Sequence, residues 1–281
     1  MILMRGDIEL VLAPPVGGSI AAFRWRGRDI MRATPAGSSD PLEHSAFPLV
    51  PWSNRIRDGR FGWGDQVVQL PPNYQDGPHS IHGHGWQAPW TVAASDQAQA
   101  TLTYTHRADA WPWNYHAEQH FALTDGGFDY VLTVRNDSAE PMPAGLGLHP
   151  YFPNPAETQL HAQLDGWWEA DAEVMPVRYI AQPGDNWTAR LHAPTETDTV
   201  FAGLAGPITL GWPTHRLTIR ASPNAGWVVV YAPVGNTFAA VEAVTQPTDA
   251  LNAPGRPGIV TLRQGATAEL RHSYHVEAAR P

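Results

Sequence analysis

Apolar residues recur at every second position in several short segments, and this period constrains the fold more than any other feature. The alternation is clear in residues 100–105, 128–134, 227–231 and 270–276. A period of two places the apolar side chains on one face of a β-strand. The 25 glycines and 27 prolines are spread along the chain and separate such segments, and the turn sequence Asp-Gly-Gly at 125–127 favours a hairpin before residue 128. The pattern predicts an all-β protein, a large antiparallel β-sandwich.

The length and composition are those of a folded protein with a sizeable core. Of the 281 residues, 43% are hydrophobic and 16% are charged, and so low a charged fraction argues against disorder. No linker, internal repeat or low-complexity tract interrupts the sequence. We therefore predict a single domain over residues 1–281.

Composition also excludes several classes of partner and site. The formal net charge is −9 and no Lys/Arg block is dense enough to follow a phosphate backbone, so we expect no nucleic-acid partner. The chain has no cysteine, which excludes disulfides, thiolate metal ligands and a cysteine nucleophile. No uncharged apolar run approaches the roughly 18 residues of a membrane-spanning helix. Because Arg5, Asp7 and Glu9 interrupt the apolar N-terminus, we expect no secretory signal, no membrane partner and a cytoplasmic protein.

The segment 145–152 (GLGLHPYF) is an apolar run with one titratable side chain, His149. The glycines at 145 and 147 allow backbone or a ligand to approach closely. Pro150 removes a backbone donor, so we expect the regular strand to end at His149. An imidazole at a strand end, beside aromatic residues, suits a proton-transfer group in a cleft. A core histidine with both nitrogens bonded to the backbone is the alternative.

Glu242 is the acidic residue that does not fit its surroundings. It lies in a predicted apolar strand, in phase with Phe238 and Ala240. Burying a carboxylate there costs several kcal/mol unless it is paired or binds a ligand. Desolvation would raise its pKa toward the working range of a general base. A carboxylate on an edge strand facing water is the alternative.

Polar side chains suited to hydroxyl groups lie in three further segments. Asn54 and Arg55 follow a proline-containing apolar stretch, and they offer an amide and a fixed fork of donors. Asp198 precedes an apolar Val-Phe pair, where a turn-capping aspartate is the alternative. His82 lies between His79 and His84 in the segment HSIHGHG. If this segment is extended, His82 and His84 share a face and form the beginning of a metal site; otherwise a single imidazole binds a polar ligand.

Taken together, these segments resemble the aldose 1-epimerase (galactose mutarotase) family. The resemblance runs from Phe47 to Asn252 and is carried by five short motifs in the same order: 51–56 (PWSNRI), 82–83 (HG), 147–152 (GLHPYF), 197–201 (TDTVF), and 241–242 (VE) with 249–252 (DALN). Each motif alone is weak, whereas the ordered set is specific. One departure is Ala243, which replaces the proline that usually follows the glutamate.

The resemblance implies the large β-sandwich of the mutarotases, with the site in a cleft on one sheet. It implies that His149 is the general acid and Glu242 the general base, and that Arg55, His82 and Asp198 bind the sugar. We add Asn54 to the substrate-binding set. The implied reaction opens the hemiacetal of an aldohexose and recloses it on the other face, which requires no metal and no organic cofactor. The expected partner is a monosaccharide, and the expected state is a monomer or a homodimer.

Three alternatives remain open on the sequence. The first keeps the fold and chemistry but uses an anionic sugar, phosphorylated or sulfonated, with Arg55, Arg57 and Arg60 serving the anion. The second is a carbohydrate-binding protein without turnover. The third is a metal-dependent enzyme that uses His79, His82 and His84.

Overall fold

The structure, a computed structural model, describes residues 1–74, 77–190, 197–235 and 237–279. The first half of this part of the chain contains strands β1 (Ile2–Arg5), β2 (Ile8–Ala13), β3 (Ser19–Trp25), β4 (Arg28–Asp29), β5 (Ala46–Leu49), β6 (Arg55–Ile56), β7 (Arg60–Trp63), β8 (Gln66–Gln69), β9 (Ser80–Ile81), β10 (Thr91–Ser95), β11 (Gln99–His106), β12 (Tyr115–Thr124) and β13 (Gly127–Asn136). The second half contains β14 (Met142–Ala144), β15 (Gly147–Pro153), β16 (Gln159–Ala170), β17 (Pro176–Arg190), β18 (Thr197–Ala202), β19 (Ala205–Gly211), β20 (His215–Ala221), β21 (Trp227–Ala232), β22 (Phe238–Val244), β23 (Val260–Leu262) and β24 (Thr267–Ala278).

Helical structure in the described residues is limited to short 3-10 turns. They span Pro41–Glu43, Arg57–Gly59 and Gly85–Gln87. No helix in these parts of the chain has the length and apolarity needed to cross a bilayer.

The period-two segments form strands as predicted, in β11, β13, β21 and β24. Along β12 buried and half-buried residues alternate without a break. The turn before residue 128 joins β12 to β13 in an antiparallel hairpin. The predicted all-β class and antiparallel arrangement are therefore confirmed.

One continuous ladder connects most of the strands. In spatial order it runs β10, β11, β12, β13, β24, β20, β19, β16, β18, β21, β22, β15, β5, β3, β2 and β1, with β4 added to β3 and β17 added to β16. Every pair in this ladder is antiparallel. Long antiparallel ladders fold over and bury one face against the other.

The two ends of this ladder pack face to face. Phe23 of β3 contacts Phe128 of β13 edge to face, with ring centroids 4.9 Å apart. Gln119 of β12 is fully buried and donates its side-chain amide to the carbonyl of Gly18, which lies just before β3. The large β-sandwich predicted from the sequence is thus the observed architecture, and its core lies between these two faces.

Strand β15 joins the two parts of the ladder. Its first four residues pair with β5, in the register His149 to Phe47, and its last three pair with β22, in the register Tyr151 to Ala240. The expectation that the strand ends at His149 is wrong, because β15 continues through Pro150 to Pro153. The missing N–H of Pro150 is tolerated because the strand changes its pairing partner at this residue.

Gly145 and Gly147 were expected to let backbone or a ligand approach closely, but the atoms nearest to them belong to protein side chains. A Cβ on Gly145 would lie 1.2 Å from Oε1 of Gln246. A Cβ on Gly147 would lie 2.7 Å from a methyl carbon of Leu49 and 2.8 Å from one of Val244. Both glycines therefore make room for side chains of the protein itself.

Burial along β13 gives a direct test of this packing. Val134 is fully buried on the inner face of the sandwich, whereas Val67 of β8 is 61% exposed. We expect Val134→Ala to lower the free energy of unfolding by about 2 kcal/mol, since it removes two buried methyl groups and leaves a cavity. The matched Val67→Ala should change it by less than about 0.5 kcal/mol. Urea-induced unfolding measures both, and equal effects would contradict the assigned inner face.

Candidate active site

A cleft of about 260 Å³ opens beside the seam formed by β5, β15 and β22. All six residues singled out in the sequence as catalytic or substrate-binding candidates line it: Asn54, Arg55, His82, His149, Asp198 and Glu242. They come from positions nearly 190 residues apart in the chain, which the antiparallel ladder brings to one place. Aromatic and aliphatic side chains complete the walls.

His149 and Glu242 form the buried end of this cleft. Continuing the register of β15 with β22 places them opposite each other, and His149 Nε2 lies 3.2 Å from Glu242 Oε1. His149 is 7% exposed and Glu242 1% exposed. The other carboxylate oxygen of Glu242, Oε2, is buried without a hydrogen-bond partner among the described residues. The edge-strand reading of Glu242 is therefore wrong, and the carboxyl group is poised for a ligand or a proton.

Burial determines where the proton of this pair lies. It lowers the pKa of His149 to about 3, and the nearby Arg32 guanidinium contributes to the decrease. It raises the pKa of Glu242 well above 4.5, with a further increase from Asp198 and an opposing effect of Arg55. Both shifts favour the neutral forms. When the pair shares a single titratable proton, that proton therefore lies on Glu242 and the imidazole is uncharged.

A column of rings fixes the imidazole of His149. The Phe47 ring stacks on it at 4.7 Å between centroids, and the Tyr151 ring lies 4.6 Å away on β15. The Arg32 guanidinium in turn lies 3.8 Å from the centroid of the Tyr151 ring. Arg32 is held there because it donates to the carbonyl oxygens of Leu42 and His44, at 2.5 and 2.7 Å. Such packing leaves the imidazole little rotational freedom.

Asn54 and His82 both line the cleft and are joined by a hydrogen bond. The backbone N–H of Asn54 donates to Nδ1 of His82 at 3.0 Å. Because Nδ1 accepts this bond, the proton of the neutral ring is on Nε2, which is then a donor. Burial, together with electrostatic interactions with His149 and Arg55, keeps the pKa of His82 well below 6.5. His82 is therefore a neutral donor in this arrangement.

The backbone around these two residues is constrained. Asn54 and His82 have φ values of 60° and 62°, in the left-handed region that non-glycine residues seldom adopt. Gly83 follows at φ 70°, and a Cβ there would lie 1.9 Å from the Val50 carbonyl oxygen. Outliers of this kind persist where the surrounding structure holds them, often at ligand sites.

Arg55 and Asp198 face each other across the cleft opening. Arg55 Nη2 lies 3.9 Å from Asp198 Oδ2, and their side chains are 19% and 20% exposed. The two charges are opposite, so the pair adds no net charge to the cleft. It offers both donors and acceptors, as the hydroxyl groups of a sugar require.

The other motif residues near Arg55 support the backbone. Asp249 donates its N–H to the carbonyl of Arg55 at 2.8 Å, and its Oδ1 accepts from the N–H of Arg57 at 3.0 Å. Asn252 donates to the same oxygen at 2.8 Å. The 249–252 motif therefore acts through the shape of the 55–57 segment. Arg57 lies near Asp249 and Asp171, at 3.7 and 3.9 Å, rather than in the cleft.

The three histidines of the 79–84 segment diverge, which contradicts their use as one metal site. His82 faces the cleft, whereas His84 stacks on His106 with centroids 4.4 Å apart and planes 7° apart. His79 Nδ1 accepts the N–H of Asp58. His84, His106 and Asp109 do bring ligand atoms within 4.8 Å of one another. Parallel stacked rings, however, direct their nitrogen lone pairs side by side rather than toward one ion.

Several cleft residues had no signal in the sequence. Arg32, Tyr74, Trp86 and Tyr231 contact or line the site, yet nothing in the local sequence marked them as site residues; the alternation around Tyr231 indicates only a strand. Phe47 was noted only as the beginning of the resembling region. Phe47 is identified by the β5–β15 register, which places it opposite His149 and is known only from the structure.

Comparison with known proteins agrees with the fold and extends over the whole chain. The sequence model of the aldose 1-epimerase family matches residues 2–275. The uncharacterized protein YphB of Escherichia coli K12 is 32% identical over 287 residues, covering 98% of this chain and 98% of YphB. YihR of the same strain is 25% identical over 264 residues, covering 89% of this chain and 85% of YihR.

Solved structures give the same picture. The b2544 protein of E. coli K12, a candidate aldose 1-epimerase, superimposes with a TM-score of 0.92 at 27% identity, covering 99% of this chain and 98% of that one. A galactose 1-epimerase from Lactobacillus acidophilus NCFM superimposes with a TM-score of 0.82 at 18% identity, covering 99% and 94%. At that identity the second likeness shows the fold alone. Since the family match spans nearly every residue and accompanies a relative above 30% identity, the chain belongs to the aldose 1-epimerase family.

Proposed function

We propose that this protein is an aldose 1-epimerase that interconverts the α and β anomers of a neutral aldohexose. The observation that carries the proposal is the 3.2 Å contact between His149 Nε2 and Glu242 Oε1 at the buried end of a cleft lined with sugar-compatible groups. Ring opening needs a base for the proton of the C1 hydroxyl and an acid for the ring oxygen. Because these two oxygens are bonded to the same carbon, an acid and a base in contact reach both at once.

The reaction needs one titratable proton in the pair formed by His149 and Glu242, so that one group is an acid while the other is a base. In our mechanism the Glu242 carboxylate takes the C1 hydroxyl proton while protonated His149 gives its proton to the ring oxygen, and the C1–O5 bond breaks. The products are an open aldehyde, a neutral imidazole and a protonated Glu242. That distribution is the one that burial favours in the free protein. The site thus matches the open-chain intermediate, and binding of the cyclic sugar is accompanied by proton transfer from Glu242 to His149.

After rotation about C1–C2 the steps reverse. His149 takes the proton of the C5 hydroxyl, this oxygen attacks C1, and Glu242 returns its proton to the C1 oxygen. No proton is gained or lost over the cycle. In this scheme Asn54, Arg55, His82 and Asp198 bind the remaining hydroxyl groups, and they act by positioning the ring.

The acid and base assignments make a mutational prediction. His149→Ala and Glu242→Gln should each reduce the rate of anomer exchange by at least about a hundredfold, the usual scale for a positioned acid or base. Exchange on glucose and galactose is measured by polarimetry or by NMR exchange spectroscopy, with the buffer rate subtracted. Near-normal exchange in Glu242→Gln would contradict its role. Saturable sugar binding by the unmodified protein with exchange at the buffer rate would instead indicate a binding protein without turnover.

The pKa values of the pair predict its behaviour in acid. Protonation of Glu242 completes the neutral pair, and the next proton is added at His149, whose pKa is about 3. We therefore expect kcat/KM to persist when the pH falls from 6.5 to about 4. A carboxylate base with the ordinary pKa of about 4.3 would begin to lose its deprotonated form as the pH falls toward that value. An acidic limb at pH 4.5 or above, with folding confirmed by circular dichroism, would contradict the neutral pair.

The charges of the cleft favour a neutral sugar over an anionic one. Arg55 is neutralised by Asp198, Arg57 lies beside two carboxylates outside the cleft, and Arg60 is exposed elsewhere. An added phosphate group would therefore meet Asp198 without an unpaired guanidinium among the described lining residues. We expect kcat/KM for glucose 6-phosphate to be lower than for glucose by about tenfold or more, the effect of one unfavourable charge contact. A higher value for the phosphate would instead support the anionic-sugar alternative.

A further inference from the structure

The tip of the β16–β17 hairpin forms a part of the cleft wall to which the proposed ring opening assigns no role. Residues 171–175 make up this tip, and we call them the strap. Val174 of the strap is half-buried and lines the cleft together with Arg55 and Asp198. An aliphatic side chain thus lies beside the charged pair at the cleft opening.

The backbone of Val174 has a conformation that its side chain disfavours. Its φ is 60°, close to the values of Asn54 and His82, which also line the cleft. Asparagine and histidine are enriched in this left-handed region, whereas a β-branched residue there is a genuine outlier. Glycine would form the same turn without strain. Because strained residues often lie at ligand clamps, a valine at this position indicates a use for its side chain.

Hydrogen bonds within the strap hold this conformation. Oδ1 of Asp171 accepts the N–H groups of Glu173 and Met175, at 2.9 and 3.0 Å. The backbone of Asp171 donates to the carbonyl of Met175 at 2.9 Å and accepts the N–H of Val174 at 3.0 Å. The Met175 side chain is fully buried and anchors one end of the strap. The strap is therefore a single piece that pivots at its junctions with the two strands.

Two polar contacts, which we call the latch, join the strap to the segments that carry Arg55 and His82. His79 Nε2 lies 3.5 Å from Glu173 Oε2. Arg57 Nη2 lies 3.9 Å from Asp171 Oδ2. Both distances are longer than those of charge-assisted hydrogen bonds. A movement of the strap by less than about 1 Å would complete them.

His79 supplies a reason for this movement. Its Nδ1 accepts the N–H of Asp58, so the proton of the neutral ring is on Nε2. This Nε2 is buried and makes no hydrogen bond among the described residues. A buried donor without a partner is costly, and the Glu173 carboxylate is the acceptor that the strap would bring to it.

We propose that the strap tightens over a bound sugar and that Val174 is a substrate-positioning residue. In the closed state the Val174 side chain packs against the C–H edge of the pyranose, and Glu173 accepts the Nε2–H of His79. This inference rests on the proposed function for the identity of the ligand, but it concerns how the ligand is held rather than how its ring opens.

Exposure of the latch keeps the closure reversible. The side chains of Glu173 and Asp171 are 56% and 37% exposed, and that of Arg57 is 42% exposed. Ion pairs with this exposure contribute little to stability. The latch is therefore weak enough to open for sugar entry and release, while the packed Met175 keeps the strap in place.

The first test removes the Val174 side chain and relieves its strain. Val174→Gly should raise KM for glucose or galactose by about fivefold, the effect of losing part of a valine contact, and change kcat by less than about twofold. Its midpoint of urea unfolding should equal or exceed that of the unmodified protein, because glycine adopts positive φ freely. Weaker binding in a protein of undiminished stability distinguishes a ligand contact from a structural role. Val177→Gly is the matched control, since Val177 is on the same hairpin, is 65% exposed and does not line the cleft.

The second test loosens the latch without altering a residue that lines the cleft. Glu173→Ala should raise KM by about threefold, the scale of one exposed hydrogen bond or ion pair. In a Val174→Gly background it should have no further effect, because the latch acts through Val174. Glu169→Ala is the matched control, since it removes the exposed ion pair with Arg178 on the same hairpin. Unchanged KM in both Val174→Gly and Glu173→Ala would overturn the proposal.

Hydrogen exchange followed by mass spectrometry reports closure without requiring turnover. Saturating glucose or galactose should slow exchange of the 171–175 amides in the unmodified protein and in Glu169→Ala, and slow it much less in Glu173→Ala. Equal amide exchange with and without sugar, while anomer exchange proceeds, would overturn the strap alone. Anomer exchange at the buffer rate, together with sugar-dependent slowing of these amides, would overturn the epimerase proposal and leave the strap standing.

Discussion

The contact between a buried carboxyl group and a buried imidazole depends on the whole sandwich. An isolated carboxylate in such surroundings costs several kcal/mol, and a protonated imidazole carries a similar penalty. The pair avoids both penalties when its proton lies on Glu242, because the carboxyl group and the His149 imidazole are then both neutral. The charged form, with the proton on His149, is therefore the higher-energy state, and in the proposed mechanism ligand hydroxyl groups and the Arg55–Asp198 pair stabilise it.

The sandwich supplies this contact through its seam. β15 pairs with β5 at one end and with β22 at the other, so His149 is in register with Phe47 and opposite Glu242. Gly145 and Gly147 allow the neighbouring side chains Gln246, Leu49 and Val244 to pack closely against this strand. A larger residue at either position would displace the strand, and with it the imidazole. The distance between the two titratable groups is therefore set by core packing far more than by loop structure.

The sequence predicted which polar residues line the cleft better than it predicted their surroundings, for physical reasons. A histidine in the GLGLHPYF run and a glutamate in an apolar strand are conspicuous because burial makes such residues costly, and both line the cleft. Arg32 and Tyr151 interact across more than a hundred residues, which a local pattern cannot indicate. The two incorrect expectations, for the end of β15 and for the glycines, share one cause. Local rules for proline and glycine do not include which strand or side chain lies alongside.

The balance of charge in the cleft connects the fold to the choice of ligand. His82 is held neutral by burial and by the bond from Asn54, and Arg55 is matched by Asp198. The His149–Glu242 pair is neutral as a unit whether its proton is on the carboxyl group or on the imidazole. Among the described residues that line the cleft, the charged groups are already matched, which is why we propose a polyol rather than a charged ligand. In the proposed ring opening, the same condition allows the pair to move its proton between Glu242 and His149 without a change of net charge in a poorly solvated cleft.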